Sequence, residues 1–431
     1  MLDGILRETF EYFRKEHNPK NGLIADKTQP GAPSSIAAVG LGLSVYTVAV
    51  ERGLISRREA VERTLAVLRF LDSSPQGREP DATGYKGFYY HFLDMQSGRR
   101  AWECEISTVD TAILMAGILN AARYFTDEPE IRDRAETLYR RVDWQWALDG
   151  AKTLRHGWKP ETGFLGCRWD NRYSEAGILY LLAIASPTYP IDPAGYREWT
   201  STFEWKKIYD IEHIYAGPLF IHQMAQLWID FRGICDDANR KHGIDYFENS
   251  RRATWVQRQY AIDNPLGFAH YHEFGWGFTA SDGPGPAIVE INGKPREFYD
   301  YIARGAPNGP DDGTIAPWAV VTSLPFAPEI VIPTIRHAVE RFRLKGRSPY
   351  GVDASFNPTW GETERHGQGW VSPWIFGLNE GPIILMIENF QTEFVWRTMW
   401  ECPYIREGLR LAGFRGGRVS LASRISPPEH Y

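Results

Sequence analysis

Carboxylates recur at the starts of apolar segments in this chain. Glu105 and Asp110 flank the STVD run, and Glu175 follows Arg172, Tyr173 and Ser174. Asp311 and Asp312 precede Ile315, and Glu380 precedes GPIILMIENF. Two carboxyl groups facing one cleft are what glycosidic-bond hydrolysis needs. One must be protonated to give its proton to the leaving oxygen, and burial against apolar walls holds it protonated. The other must be ionised to activate water or attack carbon. Glu175, with Tyr173, Trp169 and Asp170 close by in sequence, is the candidate acid. Asp110 is the candidate partner, followed by Glu105. Helix capping competes with this reading, because Asp, Glu and Ser also satisfy free N–H groups in a first turn. Ser107 and Ser174 can take the capping role and leave Asp110 and Glu175 for other work.

A second concentration of functional side chains lies between Trp228 and Pro286, which is expected to form one wall of the cleft. Its long Gly-, Pro- and aromatic-rich part holds His270, His272, Glu273, Trp276 and Asp282. Loops on a rigid scaffold are where such groups collect. The two histidines and Glu273 lack HExxH spacing, so a metal site is not expected. His213 and His222 are expected to hydrogen-bond in the cleft or core. The GPGP run is a turn, since no GK[ST] follows, and no GxSxG elbow occurs.

Composition narrows the partner. The 431 residues carry a net charge of −6, which provides no basic footprint for nucleic acid. There are 16 Trp and 21 Tyr, flat amphipathic rings that fill cores and also suit the apolar faces of sugars. The four cysteines form no CxxC pair, so zinc is not expected. No run reaches the roughly 18 apolar residues of a membrane span. The amphipathic start MLDGILRETFEYF has no signal-peptide core. A cytoplasmic protein is expected as written, or a periplasmic one whose export signal has been removed.

The elements that would hold these carboxylates alternate in character. Segments 34–50, 107–125, 173–185, 218–232, 315–324 and 381–390 are apolar or small on most faces. Each is followed by a polar-faced one, at 56–71, 129–148, 193–200, 239–260, 329–342 and 393–410. A helix that is apolar all round is buried, and one with a polar face is external. The expected fold is therefore all-α, an (α/α)6 barrel with six inner and six outer helices. Inner-to-outer links are short, while the returns 72–106, 149–172, 201–217, 261–314 and 343–380 are long. Long loops are uncommon unless functional, and here all fall at the amino ends of the inner helices, where the cleft is expected. Short strands are expected at Tyr85–Leu93 and Gly163–Trp169. One domain, 1–415, is expected, with a loose tail at 416–431.

The runs LWIDFRGICDDANRKHGIDYFENSRRAT, GWGFTASDGPGP, YGVDASFNPTW and GPIILMIENFQTEFVW resemble the bacterial glucoamylase-like domain family, glycoside hydrolase family 144. STVDTAILMAGIL and YSEAGILYLLAIASPTYP resemble two further motifs of that family, so the likeness spans residues 2–415. Its characterised members are endo-β-1,2-glucanases, and a related domain occurs in cyclic β-1,2-glucan synthases. The resemblance implies the same barrel, a neutral glucan substrate and no cofactor. By motif it places Asp110, Glu175, Asp282 and Asp353 at the cleft. Trp169, Trp276, Trp374 and Tyr173 are the expected sugar platforms, with His222 and Glu273 as further substrate contacts. A monomer that cleaves β-1,2-glucan by general acid–base chemistry is the leading expectation. The alternatives are an exo-acting β-1,2-glucooligosaccharide hydrolase, a transglycosylase, an α-glucan hydrolase and a non-catalytic glucan-binding protein.

Overall fold

The computed structural model describes residues 1–291, 293–341, 348–361 and 369–422. The chain is helix-rich. Its α-helices in order are α1 (Leu2–Lys15), α2 (Ile36–Glu51), α3 (Arg57–Ser73), α4 (Thr108–Tyr124), α5 (Pro129–Arg141), α6 (Gly177–Ile184), α7 (Ala194–Thr200) and α8 (Leu219–Gln223). They continue as α9 (Asp237–Arg240), α10 (Tyr246–Asp263), α11 (Pro317–Thr322), α12 (Pro328–Arg341), α13 (Gly377–Thr392), α14 (Phe394–Trp400), α15 (Pro403–Leu411) and α16 (Gly417–Ala422).

The apolar segments do form the interior. Every residue of α2 from Ile36 to Ala49 is buried, and α4, α6, α11 and α13 are nearly as enclosed. α2 packs on α4, α4 on α6, and α6 on the 3-10 turn Met224–Leu227 that continues α8. α8 meets α11, α11 packs on α13, and α13 returns to α2, so the circuit closes. Where Gly40 and Gly117 cross, the backbones of α2 and α4 touch directly. A Cβ placed on Gly117 would stand 1.8 Å from the Gly40 carbonyl oxygen. Outside this circuit α3 packs on α2 and α5, α5 on α4, α10 on α8, and α12 on α11.

Several expected elements differ in extent. The inner segment 218–232 is a short helix and a 3-10 turn, and 315–324 is helical only over Pro317–Thr322. The outer segment 239–260 starts as two pieces, α9 and α10, each capped by its own aspartate, Asp236 and Asp245. Segment 393–410 splits where Cys402 and Pro403 start a new helix, as Pro favours a first helical position. α1, left outside the expected pairing, packs against α13 and α2. α14 and α15 cross to α4 and α6 instead of serving only α13. A helix, α16, stands where a loose tail is expected, and residues from 423 on lie outside the described residues.

Short strands decorate the loop face. Ser34–Ser35 pairs with Phe92–Leu93 and leads into α2. Ile106–Ser107 pairs with Gly157–Trp158 and leads into α4. Lys27 bridges Phe376, just ahead of α13. The inner helices α2, α4 and α13 are thus entered from extended chain that already carries inter-segment hydrogen bonds. The expected strands near 85–93 and 163–169 are present as Gly84–Tyr85, Phe88–Tyr89, Phe92–Leu93 and Gly163–Phe164. A hairpin, Ala287–Ile291 with Lys294–Phe298, was not anticipated, although Asn292–Gly293 in the sequence is a strong two-residue hairpin signal. Among the described residues no helix is long and apolar enough to cross a membrane.

Candidate active site

A cavity of about 550 Å³ opens at the amino ends of the inner helices. That lies within the roughly 300–1,000 Å³ of small-molecule sites. The entrances to the helices supply its floor: Ser35 caps α2, Ser107 and Asp110 begin α4, Glu175 precedes α6, and Phe376 precedes α13. Carboxylates dominate its polar lining, from Asp26, Glu105, Asp110, Glu175, Asp282 and Asp300. Lys27, His91 and His156 are the nitrogen bases among them.

Asp110 and Glu105 share one imidazole. His91 Nδ1 lies 3.0 Å from Glu105 Oε1, and His91 Nε2 lies 3.6 Å from Asp110 Oδ2. The backbone fixes this arrangement, because the His91 N–H donates to the Glu105 carbonyl at 2.9 Å and Ile36 N–H donates to the His91 carbonyl at 3.2 Å. Burial alone would pull the His91 pKa down. The charge of Asp110, the Glu105 hydrogen bond and charge, and Asp26 together outweigh it and raise the pKa to about 9. His91 is therefore an imidazolium at neutral pH. In return its hydrogen bond holds Glu105 below the usual carboxylate range. Ser107 Oγ accepts the Asp110 N–H at 3.2 Å and donates to Asp110 Oδ2. The serine caps the helix, as the sequence suggests, and also holds the carboxylate.

Glu175 has the opposite environment. Burial raises its pKa to about 7, and the negative charge of Asp110 adds to the rise. The side chain is half-buried on the cavity wall, with Trp169, Phe220 and Met224 among the other wall residues. Ser174 accepts the Ala176 N–H at 3.5 Å, and α6 begins only at Gly177. Across the cavity, burial pushes Asp26 up to about 6. Burial also raises Asp282, opposed by a hydrogen bond that Ser372 Oγ donates to its Oδ2 at 2.8 Å.

The residues singled out in the sequence separate into groups. Glu175, Asp110, Glu105, Trp169 and Asp282 meet on this cavity. Trp169 donates from Nε1 to Thr108 Oγ1 at 3.0 Å and stacks on His156 at 3.7 Å. Asp170, next to it, accepts from Thr153 at 3.2 Å. Tyr173 and His222 line a separate small aromatic cavity with Tyr196, Trp199 and Tyr246. There burial drives His222 down to about 3, and its Nε2 donates to the Ala216 carbonyl. Trp276 is fully buried and donates to Thr334, and Glu273 is exposed beside Arg258. Asp353 lines another cavity, of about 380 Å³, with Tyr350 and Ser372. The Trp374 N–H donates to Ser372 Oγ at 3.3 Å. Of the 228–286 wall, Ala280 and Asp282 reach the main cavity, while Trp228 is buried against Ser44. Among the described residues no group of three His, Cys, Asp or Glu side chains could hold a metal ion.

Sequence reasoning missed Asp26, His91, Trp102, Asp300 and Tyr301. All lie on irregular or strand-bearing loops, where no periodicity indicates which way a side chain faces.

Comparison with known proteins gives a consistent outcome. A family model described as "Putative glucoamylase" matches residues 168–403. A solved glucoamylase structure of the same description from Bacteroides uniformis is 30% identical, with a TM-score of 0.81 over 96% of this chain and 97% of the other. An exo β-1,2-glucooligosaccharide sophorohydrolase (non-reducing end) of Parabacteroides distasonis is 27% identical across 95% of this chain and 57% of its own length. The chain thus spans a little over half of that curated relative. An endo-β-1,2-glucanase from Chitinophaga pinensis, solved with sophorotriose and glucose, has a TM-score of 0.80 at 24% identity, over 96% and 99% of the two chains. That last likeness speaks to the fold.

Proposed function

The chain belongs to the glucoamylase-like family matched over residues 168–403, and we propose from that premise that it hydrolyses β-1,2-linked glucan. The observation that carries the reading is the pairing of two unlike carboxyl groups on one cavity: Glu175, with a pKa near 7, and Asp110, beside a cationic His91. A carboxyl group that burial keeps protonated near neutral pH suits the acid role, and a second carboxylate on the same cavity suits the base role. Glu175 donates its proton to the leaving glycosidic oxygen. Asp110 takes up the water proton or positions that water, with Glu105 completing the acidic wall. The imidazolium of His91 lies between Glu105 and Asp110 and holds this wall in place. The linkage is supported by the Parabacteroides distasonis relative, an exo sophorohydrolase.

The architecture that fits this reading is an (α/α)6 double ring, supported by the closed circuit from α2 through α13. A single catalytic domain over 1–415 and a monomer complete the proposal. Trp169 and Asp282 contact glucose units within the cavity. Asp170, Tyr173, His222, Glu273, Trp276, Asp353 and Trp374 are not among the lining residues of this cavity and are assigned no glucose contact in it. The test is incubation with linear and cyclic β-1,2-glucans, with the products sized. Release of β-1,2-glucooligosaccharides by the wild-type protein and loss of that release in Glu175→Gln are expected. Normal turnover by Glu175→Gln would remove Glu175 from the acid role. A second reading, release of disaccharide from one chain end, is favoured by the exo-acting relative. A single disaccharide product distinguishes it from a ladder of sizes.

A further inference from the structure

The aromatic side chains expected to carry sugar are largely enclosed, whereas Trp102 is not. It is 62% exposed and lines the same cavity as Glu175 and Asp110. Its backbone is unusual. Trp102 has φ of 55° and Glu103 has φ of 51°, two consecutive non-glycine residues in the left-handed region. Such a conformation is strained and persists only where surrounding structure enforces it. Arg100 does the enforcing. Its side chain is only 2% exposed, donates to the Glu103 and Cys104 carbonyls at 2.7 and 2.6 Å, and pairs with Glu161. It also lies over the Tyr90 ring at 4.8 Å.

This buried clamp holds a large indole out at the mouth, where hiding apolar surface cannot be the reason for it. From Trp102 a line of contacts runs inward: to Phe92 at 5.1 Å between ring centroids, from Phe92 to His91 at 4.0 Å, and from His91 to Asp110 at 3.6 Å. Trp102 therefore stands at the outer end of a wall whose inner end is the proposed base. A flat amphipathic ring in that place matches the apolar C–H face of a pyranose.

We propose that Trp102 is a binding platform for glucose units beyond those at the Glu175–Asp110 pair, so that it reads the length of a β-1,2-glucooligosaccharide. This rests on the hydrolase reading above and adds to it a subsite with a stated ligand. Binding energy realised away from the reacting bond is how an enzyme favours longer substrates.

The experiment compares wild-type protein with Trp102→Ala, Trp102→Phe and Trp102→Gly on β-1,2-glucooligosaccharides of increasing length, reading KM and kcat separately. For wild type, KM falls as the chain lengthens. In Trp102→Ala that fall flattens, leaving KM for the longest chains about ten-fold higher, the scale of one lost apolar face. Trp102→Phe recovers part of it. Trp102→Gly relieves the left-handed backbone, so its melting temperature stays equal to or above that of wild type while its KM follows Trp102→Ala. A structural role would instead lower the melting temperature of Trp102→Gly and raise KM equally at every length. That result, or an unchanged dependence of KM on length in Trp102→Ala, overturns the proposal. Failure of the hydrolase reading looks different: wild-type protein would release nothing from β-1,2-glucan of any length, and the platform would fall with it.

Discussion

Two entrances to inner helices, before α6 and before α11, begin alike in sequence and end in opposite chemistry. Glu175 and Asp312 are both acids placed just ahead of an apolar segment. Asp312 is completely buried and holds Arg304, whose side chain is 1% exposed, at 2.7 Å. It also accepts the N–H groups of Tyr299 and Thr314. Burial works to raise the Asp312 pKa, but the Arg304 hydrogen bond and charge overcome it and hold it below the usual range. Burial also works on Glu175, and with no cationic partner to oppose it the pKa rises to about 7. Partners separate the two. A fully partnered acid is part of the framework. An acid facing open space along an apolar wall keeps its proton available.

The comparison predicts a set of variants with graded effects. Glu175→Gln should lower kcat on β-1,2-glucan by about 10²–10⁴-fold, the usual worth of a positioned acid. Asp312→Asn should leave the kcat of folded protein within roughly ten-fold of wild type by the same measure. Equal kcat losses in the two variants would break the distinction. Stability should respond the other way round. Arg304→Met strands the Asp312 charge and should cost about 3–5 kcal/mol in urea unfolding. The folded pKa of Asp312 lies below its unfolded value, so the contribution of the pair is present above the unfolded pKa and is lost as pH falls through the folded one. The cost of Arg304→Met should therefore shrink in acid.

The pH profile sharpens the contrast at intermediate scale. With Glu175 required as an acid, kcat/KM should fall about ten-fold per pH unit above about 7. His91→Gln removes the imidazole shared by Glu105 and Asp110. It should lower kcat/KM roughly ten-fold and raise the pKa of Glu105, which the His91 hydrogen bond holds low, read by carboxyl NMR titration. An unmoved Glu105 titration would exclude His91 from that role. The smallest effect is thermal. The folded pKa of Glu175 lies above its unfolded value, so burying the ionised form destabilises the fold as pH rises through about 7. Glu175→Gln should raise the melting temperature at pH 8 more than at pH 5, by differential scanning fluorimetry.

Much of this arrangement was legible in the sequence because of how the inner helices are built. α2, α4 and α13 are apolar on all faces, and that pattern has one physical meaning, so both their burial and their order could be read. Asp110, Glu105 and Glu175 followed, since an acid next to such a helix start must sit near its amino end. α8 and α11 were overdrawn because their apolar runs continue past the point where the helix ends. Trp276, Tyr173 and His222 look the same in sequence as cleft-facing groups. Only packing decides that Trp276 points at Thr334 and that Tyr173 turns toward Tyr246, away from the main cavity. Asp26, His91 and Trp102 were out of reach for a different reason. Asp26 and His91 lie beside bridges and strand pairings one or two residues long, and Trp102 lies in a left-handed turn held by Arg100; such settings have no local signature.

The contact of Gly40 with Gly117 bears on how accurately the chemistry is aimed. Where side chains separate two helices, a substitution or a rotamer change can alter their spacing. Here main chain rests on main chain, so there is nothing to repack. Ser35 caps one of these helices, and Ser107 and Asp110 begin the other. The proposed base is therefore mounted on a fixed gauge, insensitive to drift elsewhere in the core. Even one methyl group added at either glycine would displace it relative to the opposing acid.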